Sequence, residues 1–452
     1  MNSRIIFPVF LIAAAMVMPL SNTIVAYPLD GTSYTGIQRL EGYRLGQQGK
    51  VHATKLPAGA LLNLDQVMPR LLNAKHLQIP PVDEQFSAEV RKLLRSSSYG
   101  IAVLDLTDLK KPVYAEHNAD RPFNPGSVGK LAAAMGIFKV LKEIYPQNIA
   151  AREKVLHDAQ VTADGFIIKT SHAVPFWRPG QKRVTKRKLK IGDRASLWTY
   201  MDWMLSASSN SAASMVIKQL MLLEVFGKAY PPLQRQQDSY FKGNRKELSD
   251  ILRYSLNSGV RAGGLDKENF RQGGFFTSGG KSRVPGGSST ATPRELIKFL
   301  FNLERGKVVD VFSSREIKRL LYITQRRIRY ASSPALKDAA VYFKSGSLYR
   351  CRAEAGFSCS KYRGNHTNLL NSVAIVESPA GNVMDGNRKG LFYMVVITSN
   401  VLKHNAAVDH QTLATRLHRL IQKRHQPSQA TNKITKPELE VLLTKKQADQ
   451  KK

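Results

Sequence analysis

The chain has 452 residues, 42% of them apolar and 8% aromatic, with 68 Lys and Arg against 34 Asp and Glu for a formal net charge of +34. That length and apolar share can fill one large or two medium cores, which excludes a globally disordered chain. The charge points to acidic partners, but no motif of interleaved basic and aromatic residues accompanies it, so no nucleic acid is expected; electrostatic contact with anionic envelope polymers is.

Arg4 precedes an uncharged run from Ile5 to Leu20, followed by Ser21, Asn22 and a small residue, Ala26, where a cut can fall. This is the pattern of a secretory signal over 1–26, too short and too interrupted by Pro8 and Pro19 for a bilayer span. The expectation is export to the periplasm or beyond with no stable transmembrane span. Residues 27–85 mix short apolar pieces with Gly, Pro and Gln and read as an extension packed on a main domain over 86–422. That domain opens with two strands, "YGIAVLDL" (99–106) and "PVYAEH" (112–117), joined by a short polar turn.

Helical periods follow at Leu131, Met135 and Phe138, at Leu197, Met201 and Met204, and at Ala212, Val216, Leu220 and Leu223. Between the first two lies a dense basic knot, "QKRVTKRKLK" (181–190), read as a solvated loop. Thr292 at an N-cap, Pro293 at N1 and Glu295 at N3 start another helix. Strands return in "AAVYFKSG", "NSVAIVES" and "LFYMVVITS", and a helix with Leu413, Leu417 and Leu420 closes the domain. The remainder, 423–452, is a basic polar tail. Strands at both ends with helices between (about 125–300) predict one antiparallel sheet built from both ends of the domain, with a helical insertion. Cys351 and Cys359 fit one short disulfide loop; a zinc site would need more ligands, so no metal or cofactor is expected.

Three short motifs carry chemistry. Ser127 and Lys130, in "NPGSVGKLAAAM", sit three residues apart at the start of an apolar helix, so hydroxyl and amine share its inward face. Desolvation there lowers the lysine's pKa, and a neutral amine can take the serine's proton. The same spacing at Ser278–Lys281 and Ser358–Lys361 leads into no periodic helix. Ser208 and Asn210 fall in a turn between two apolar helices; Ser255 and Asn257 repeat the pattern at what reads as a helix C-terminus. Lys344, Ser345 and Gly346 end a strand whose edge suits an extended substrate.

In that order the three motifs resemble the β-lactamase and penicillin-binding-protein superfamily, particularly class A β-lactamase-like serine hydrolases, over about Ser87 to Leu420. The resemblance implies an α+β fold, an antiparallel five-stranded sheet flanked by helices beside an all-helical subdomain, with the catalytic groove between. It implies Ser127 as acylated nucleophile, Lys130 as its activator and Ser208 as proton relay to the leaving nitrogen. Asn210 would hold a substrate amide. Lys344 would tune the relay and attract a carboxylate that Ser345 hydrogen-bonds. The N–H groups of Ser127 and Ser347 would form an oxyanion hole. The family's deacylating element, a Glu with an Asn four residues on, has no counterpart between Asn210 and Lys344. Glu224 and Glu247 read as solvated helix charges, and Glu268 lies in a loop without the Asn. The expected substrates are therefore a small-molecule β-lactam or a peptidoglycan peptide. β-Lactam hydrolysis leads, a D-alanyl-D-alanine carboxypeptidase is the alternative, and a poorly turning-over wall-fragment or β-lactam binding protein is a third reading.

Overall fold

The computed structural model describes residues 28–168, 172–324, 327–381 and 390–426. The secretory signal expected over 1–26 and the tail beyond 426 lie outside these residues. Five strands form the main sheet: β1 (Gly100–Asp105), β2 (Val113–His117), β3 (Ala340–Arg350), β4 (Thr367–Ser378) and β5 (Leu391–Asn400). They lie side by side as β2-β1-β5-β4-β3, each neighbouring pair antiparallel. The register sets Val103 opposite Val395 and Lys344 opposite Val373, so early and late segments of the chain meet in the middle of one sheet.

Successive side chains on a strand point to opposite faces, and the sheet uses both. Along β5, Tyr393, Val395 and Ile397 join a core with Phe86 and Val90 of α2 (Glu84–Arg91) and Leu413, Leu417 and Ile421 of α9 (Ala406–His425). Phe392, Met394 and Val396 face the larger core shared with the other helices. At the centre of that core is α3 (Lys130–Ile144), every residue of which is buried from Lys130 to Leu141, as an apolar run without a polar face requires. It crosses α6 (Arg245–Ala262) through two glycines: a Cβ on Gly259 would stand 2.4 Å from the Gly136 nitrogen.

The start of α7 (Pro293–Glu304) follows the sequence, with Thr292 Oγ1 accepting from Glu295 N at 3.2 Å. Three expectations need correction. Lys344–Gly346 lie in the middle of β3, because antiparallel pairing with β4 continues to Arg350. Ser255 is inside α6, its hydroxyl bonded back to Ile251 O at 2.8 Å, since Gly259 serves the helix crossing and does not stop the helix. Glu224 is not solvated: only 9% exposed, it pairs with Lys139 at 3.3 Å. α9 also carries Lys423–His425, three residues of the stretch read as tail.

The segment before α2 is tied down by buried charge. Arg39, in α1 (Gln38–Gln47), donates from Nε to Asp202 at 2.6 Å, and Asp202 is fully buried in α4 (Leu197–Leu205). Arg70 binds Glu377 of β4 at 2.9 Å; Glu377 also accepts from Lys318 of α8 (Val311–Tyr322) at 2.8 Å, and Lys318 reaches Glu304 at 2.7 Å. Among the described residues no helix is long and apolar enough to cross a membrane.

Candidate active site

Ser127 stands on a short 3-10 turn, Gly126–Gly129, that feeds α3. The turn is seated from the sheet side: Asn371 of β4 donates to Asn124 O at 2.9 Å, and Asn124 Oδ1 accepts from Gly126 N at 2.9 Å. Gly346 permits the approach, because a Cβ there would meet Pro125 O at 2.2 Å and Ser127 N at 2.9 Å. A Cβ on Gly126 would lie 3.4 Å from Ser347 N, so the backbone at 346–347 runs close against the Ser127 turn.

The second motif comes from the turn between α4 and α5 (Asn210–Phe226). Ser209 caps α5, its Oγ accepting from Ala212 N at 3.2 Å, and Ser208 takes a positive φ of 58° that turns its carbonyl and hydroxyl together toward Lys130. A non-glycine residue there is uncommon and is held by its surroundings. Lys130 Nζ lies 2.9 Å from Ser127 Oγ, 2.7 Å from Ser208 O and 2.7 Å from Asn210 Oδ1. Lys344 Nζ donates to Ser208 Oγ and Ser345 O, both at 2.9 Å.

The electrostatics follow from burial. Full burial drives the Lys130 pKa well below the ordinary lysine value, and the Lys344 charge adds to it. Burial, then the Arg329 charge, bring Lys344 down to about 7. A neutral amine has two N–H donors and one lone pair. For Lys130 the two acceptors at 2.7 Å use the donors, and the lone pair is left for the Ser127 hydroxyl. In that state the Ser127 hydroxyl proton has an acceptor 2.9 Å away. Ser208, 2.9 Å from Lys344 and 3.4 Å from Lys130, links the two amines.

Most of the motif residues meet at one cavity of about 570 Å³, lined by Ser127, Ser208, Asn210, Lys344, Ser345 and Ser347; Lys130 touches three of these lining residues and Gly346 packs against the Ser127 turn. Ser278 is exposed and bonded to Ile168 O at 3.2 Å, and neither it nor Ser358 lines the cavity. Glu268 is 66% exposed and occupied by Arg271 at 3.0 Å. None of the described lining residues is Asp or Glu.

Sequence reasoning missed a second cation and its support. Arg329 donates to Ser345 Oγ at 2.7 Å, Ser347 Oγ at 3.1 Å and the Tyr362 hydroxyl at 2.9 Å, with its guanidinium 4.7 Å from the Tyr362 ring centre. Tyr362 and Lys361 follow the loop closed by the Cys351–Cys359 disulfide, whose Cα atoms are 6.0 Å apart. One Arg in so basic a chain carries no signal; its φ of 57° does, but only in the structure. Phe276 was also missed. Its ring centre lies 4.9 Å from Lys130 Nζ, and Gln272 of the same segment packs into the space left by the absent side chain of Gly129.

Solved structures similar to this chain include PBP-A, at 15% identity and a TM-score of 0.48 over 76% of this chain and 100% of that one. A β-lactamase from Sphaerobacter thermophilus gives 14%, 0.47, 74% and 97%, and one from Chitinophaga pinensis 15%, 0.43, 76% and 99%. No curated protein matches the chain. The model of the beta-lactamase enzyme family matches residues 85–361, more than half of the chain and the stretch that holds all three motifs. On that match, the chain belongs to the beta-lactamase enzyme family.

Proposed function

We propose that the protein is an exported serine acyl hydrolase that opens β-lactam rings through an acyl-serine intermediate at Ser127. The observation that carries this is the buried Lys130 amine, 2.9 Å from Ser127 Oγ and 2.7 Å from both Ser208 O and Asn210 Oδ1. Ser127 Oγ attacks the carbonyl carbon as its proton passes to Lys130, and the N–H groups of Ser127 and Ser347 take the oxyanion. Collapse breaks the C–N bond. Ser208 gives its proton to the leaving nitrogen and is resupplied from Lys130, which restores the neutral amine. Lys344 and Ser345 receive the substrate carboxylate, and Asn210 its side-chain amide. The export reading rests on the pattern at 1–26.

A specific observation favours a second reading, a D-alanyl-D-alanine carboxypeptidase acting on peptidoglycan peptides. An aromatic ring, Phe276, faces Lys130, and none of the described cavity residues is a carboxylate that could activate a deacylating water. Such a site acylates faster than it clears a bulky β-lactam adduct. Intact mass after mixing with a penicillin, followed over time, separates the readings. An adduct that forms and vanishes with product release supports the β-lactamase. A lasting adduct supports the peptidase, or a binding protein with little turnover. No adduct at all rejects acyl-serine chemistry.

A further inference from the structure

The basic knot is not a loose loop. Residues 173–176 and 185–188 pair as an antiparallel hairpin, and three neighbours fix it. His52 N donates to Lys182 O at 2.9 Å, and Val184 N to His52 O at 3.0 Å. Trp177 donates from its indole to Gln181 O at 3.0 Å and packs where a Cβ on Gly42 would stand 2.5 Å from its ring. Trp203 donates to Pro175 O at 3.1 Å. A merely solvated loop has no need of three such anchors.

What this frame presents is one sign of charge. Lys182, Arg183, Lys186, Lys188, Lys190 and Arg194 are all exposed. The sole carboxylate between residues 173 and 196, Asp193, is taken by Arg187 in a two-point contact at 2.7 and 2.8 Å. Lys186 and Lys188 share one face of their strand, about 7 Å apart by strand geometry, while Arg187 stacks 3.8 Å over Phe176 on the other. A groove of about 860 Å³ runs beside the hairpin, with Arg178 and Arg194 among its lining. The first residue of the hairpin, Ala173, lines the cavity that holds Ser127, so the hairpin begins beside that site.

We infer that the 173–194 hairpin is a docking surface for an extended polyanionic polymer, held rigid by the segment before α2. Charge complementarity with a repeating anion, at the spacing of alternate strand residues, is what selects this occupant. A membrane surface is disfavoured because Trp177 and Trp203 point inward and are buried; of the large apolar side chains here, Ile191 is the one that projects. The inference does not depend on the identity of the acylated substrate.

The test uses the full chain and long-chain inorganic polyphosphate as probe, titrated at about 50 and 200 mM salt, where binding through phosphates differs most in affinity. One variant carries Lys182→Ala, Lys186→Ala, Lys188→Ala and Lys190→Ala. A charge-matched control carries Arg235→Ala, Lys242→Ala, Lys246→Ala and Lys281→Ala. The hairpin variant should bind at least roughly tenfold more weakly, with a salt slope shallower by about one for each lysine–phosphate pair removed. The control should stay within about twofold of wild type. Equal weakening in both variants would show a response to net charge alone and overturn the proposal, as would wild-type binding to phosphatidylglycerol vesicles without binding to polyphosphate. Penicillin adduct formation, measured in the same samples, should be unchanged in both variants; this separates a failure of the docking surface from a failure of the catalytic reading.

Discussion

Lys130 and Lys344 are both lowered by burial, and Lys344 comes down to about 7, within reach of a pH profile. With its pKa brought down to about 7, Lys344 would, on the proposed function, hold a substrate carboxylate only while charged. Second-order acylation by a carboxylate-bearing penicillin should therefore fall as pH rises through about 7. Its matched methyl ester, measured beside it, should show a much weaker fall. Stability has the opposite sign: the unfolded lysine keeps its proton up to 10.5 while the folded one loses it at about 7, so stability should rise with pH across that window. Urea melts of wild type and Lys344→Met at several pH values would show the slope and its loss. Lys344→Ala should lower acylation by roughly one to two orders of magnitude for the acid, matching removal of a hydrogen bond to a charged group. An equal fall for acid and ester would mean that Lys344 does not read the carboxylate. Ser127→Ala should abolish the penicillin adduct, whereas Ser278→Ala and Ser358→Ala should leave it intact.

Elements bring these residues together through close approaches at glycine. Gly346→Ala forces β3 away from the Ser127 turn, because the new Cβ would stand 2.2 Å from Pro125 O. The expected result is a large loss of acylation with far-ultraviolet dichroism retained, since the pairing of β3 with β4 does not involve that approach. The disulfide acts on the neighbouring loop. Closing a loop of 8 residues is worth about 2–3 kcal/mol in the chain-entropy account, and here it steadies the stretch that delivers Tyr362 to Arg329. Cys351→Ser should weaken acylation without abolishing it, with the change in KM exceeding that in kcat. The main strands were legible because their near-continuous apolar, β-branched runs match a sheet with two buried faces; so was the cap on α7. The extent of β3 was not, because Gly346 looks like a strand breaker until the turn that needs its missing side chain is seen. Arg329 and Phe276 were illegible for a related reason: each matters through a neighbour distant in sequence, and neither sits in a pattern of its own.

Across the whole molecule, buried ion pairs join the segment before α2 to both the helices and the sheet. Arg39 is 4% exposed and its partner Asp202 is fully buried, so Arg39→Ala leaves a carboxylate with no countercharge, a change that costs about 3–5 kcal/mol. Thermal or urea unfolding should report that loss, while penicillin acylation of the folded fraction stays near wild type. Lys318→Met should be at least as damaging, because Glu304 and Glu377, both fully buried, would face each other without the amine between them. In both cases the deficit should shrink at low pH, where the stranded carboxylates protonate.

The sheet's strand order also sets a timetable. β1 pairs with β5 at its centre, yet β5 begins at Leu391, long after Asp105 has been made. At synthesis rates of about 5–20 residues per second, β1 waits roughly 15 to 60 seconds for that partner. Throughout that interval an apolar strand edge stands open, and open edges recruit other chains. The Ser127 turn waits as well, since Asn371 and Gly346, which seat it, are also late arrivals. A nascent chain of this protein is thus obliged to remain unfolded, or to be shielded, until nearly its whole length is available. Chains released before Leu391 should be insoluble and form no penicillin adduct, however complete their three motifs, and sedimentation of a truncation series in a cell-free translation would mark where solubility begins.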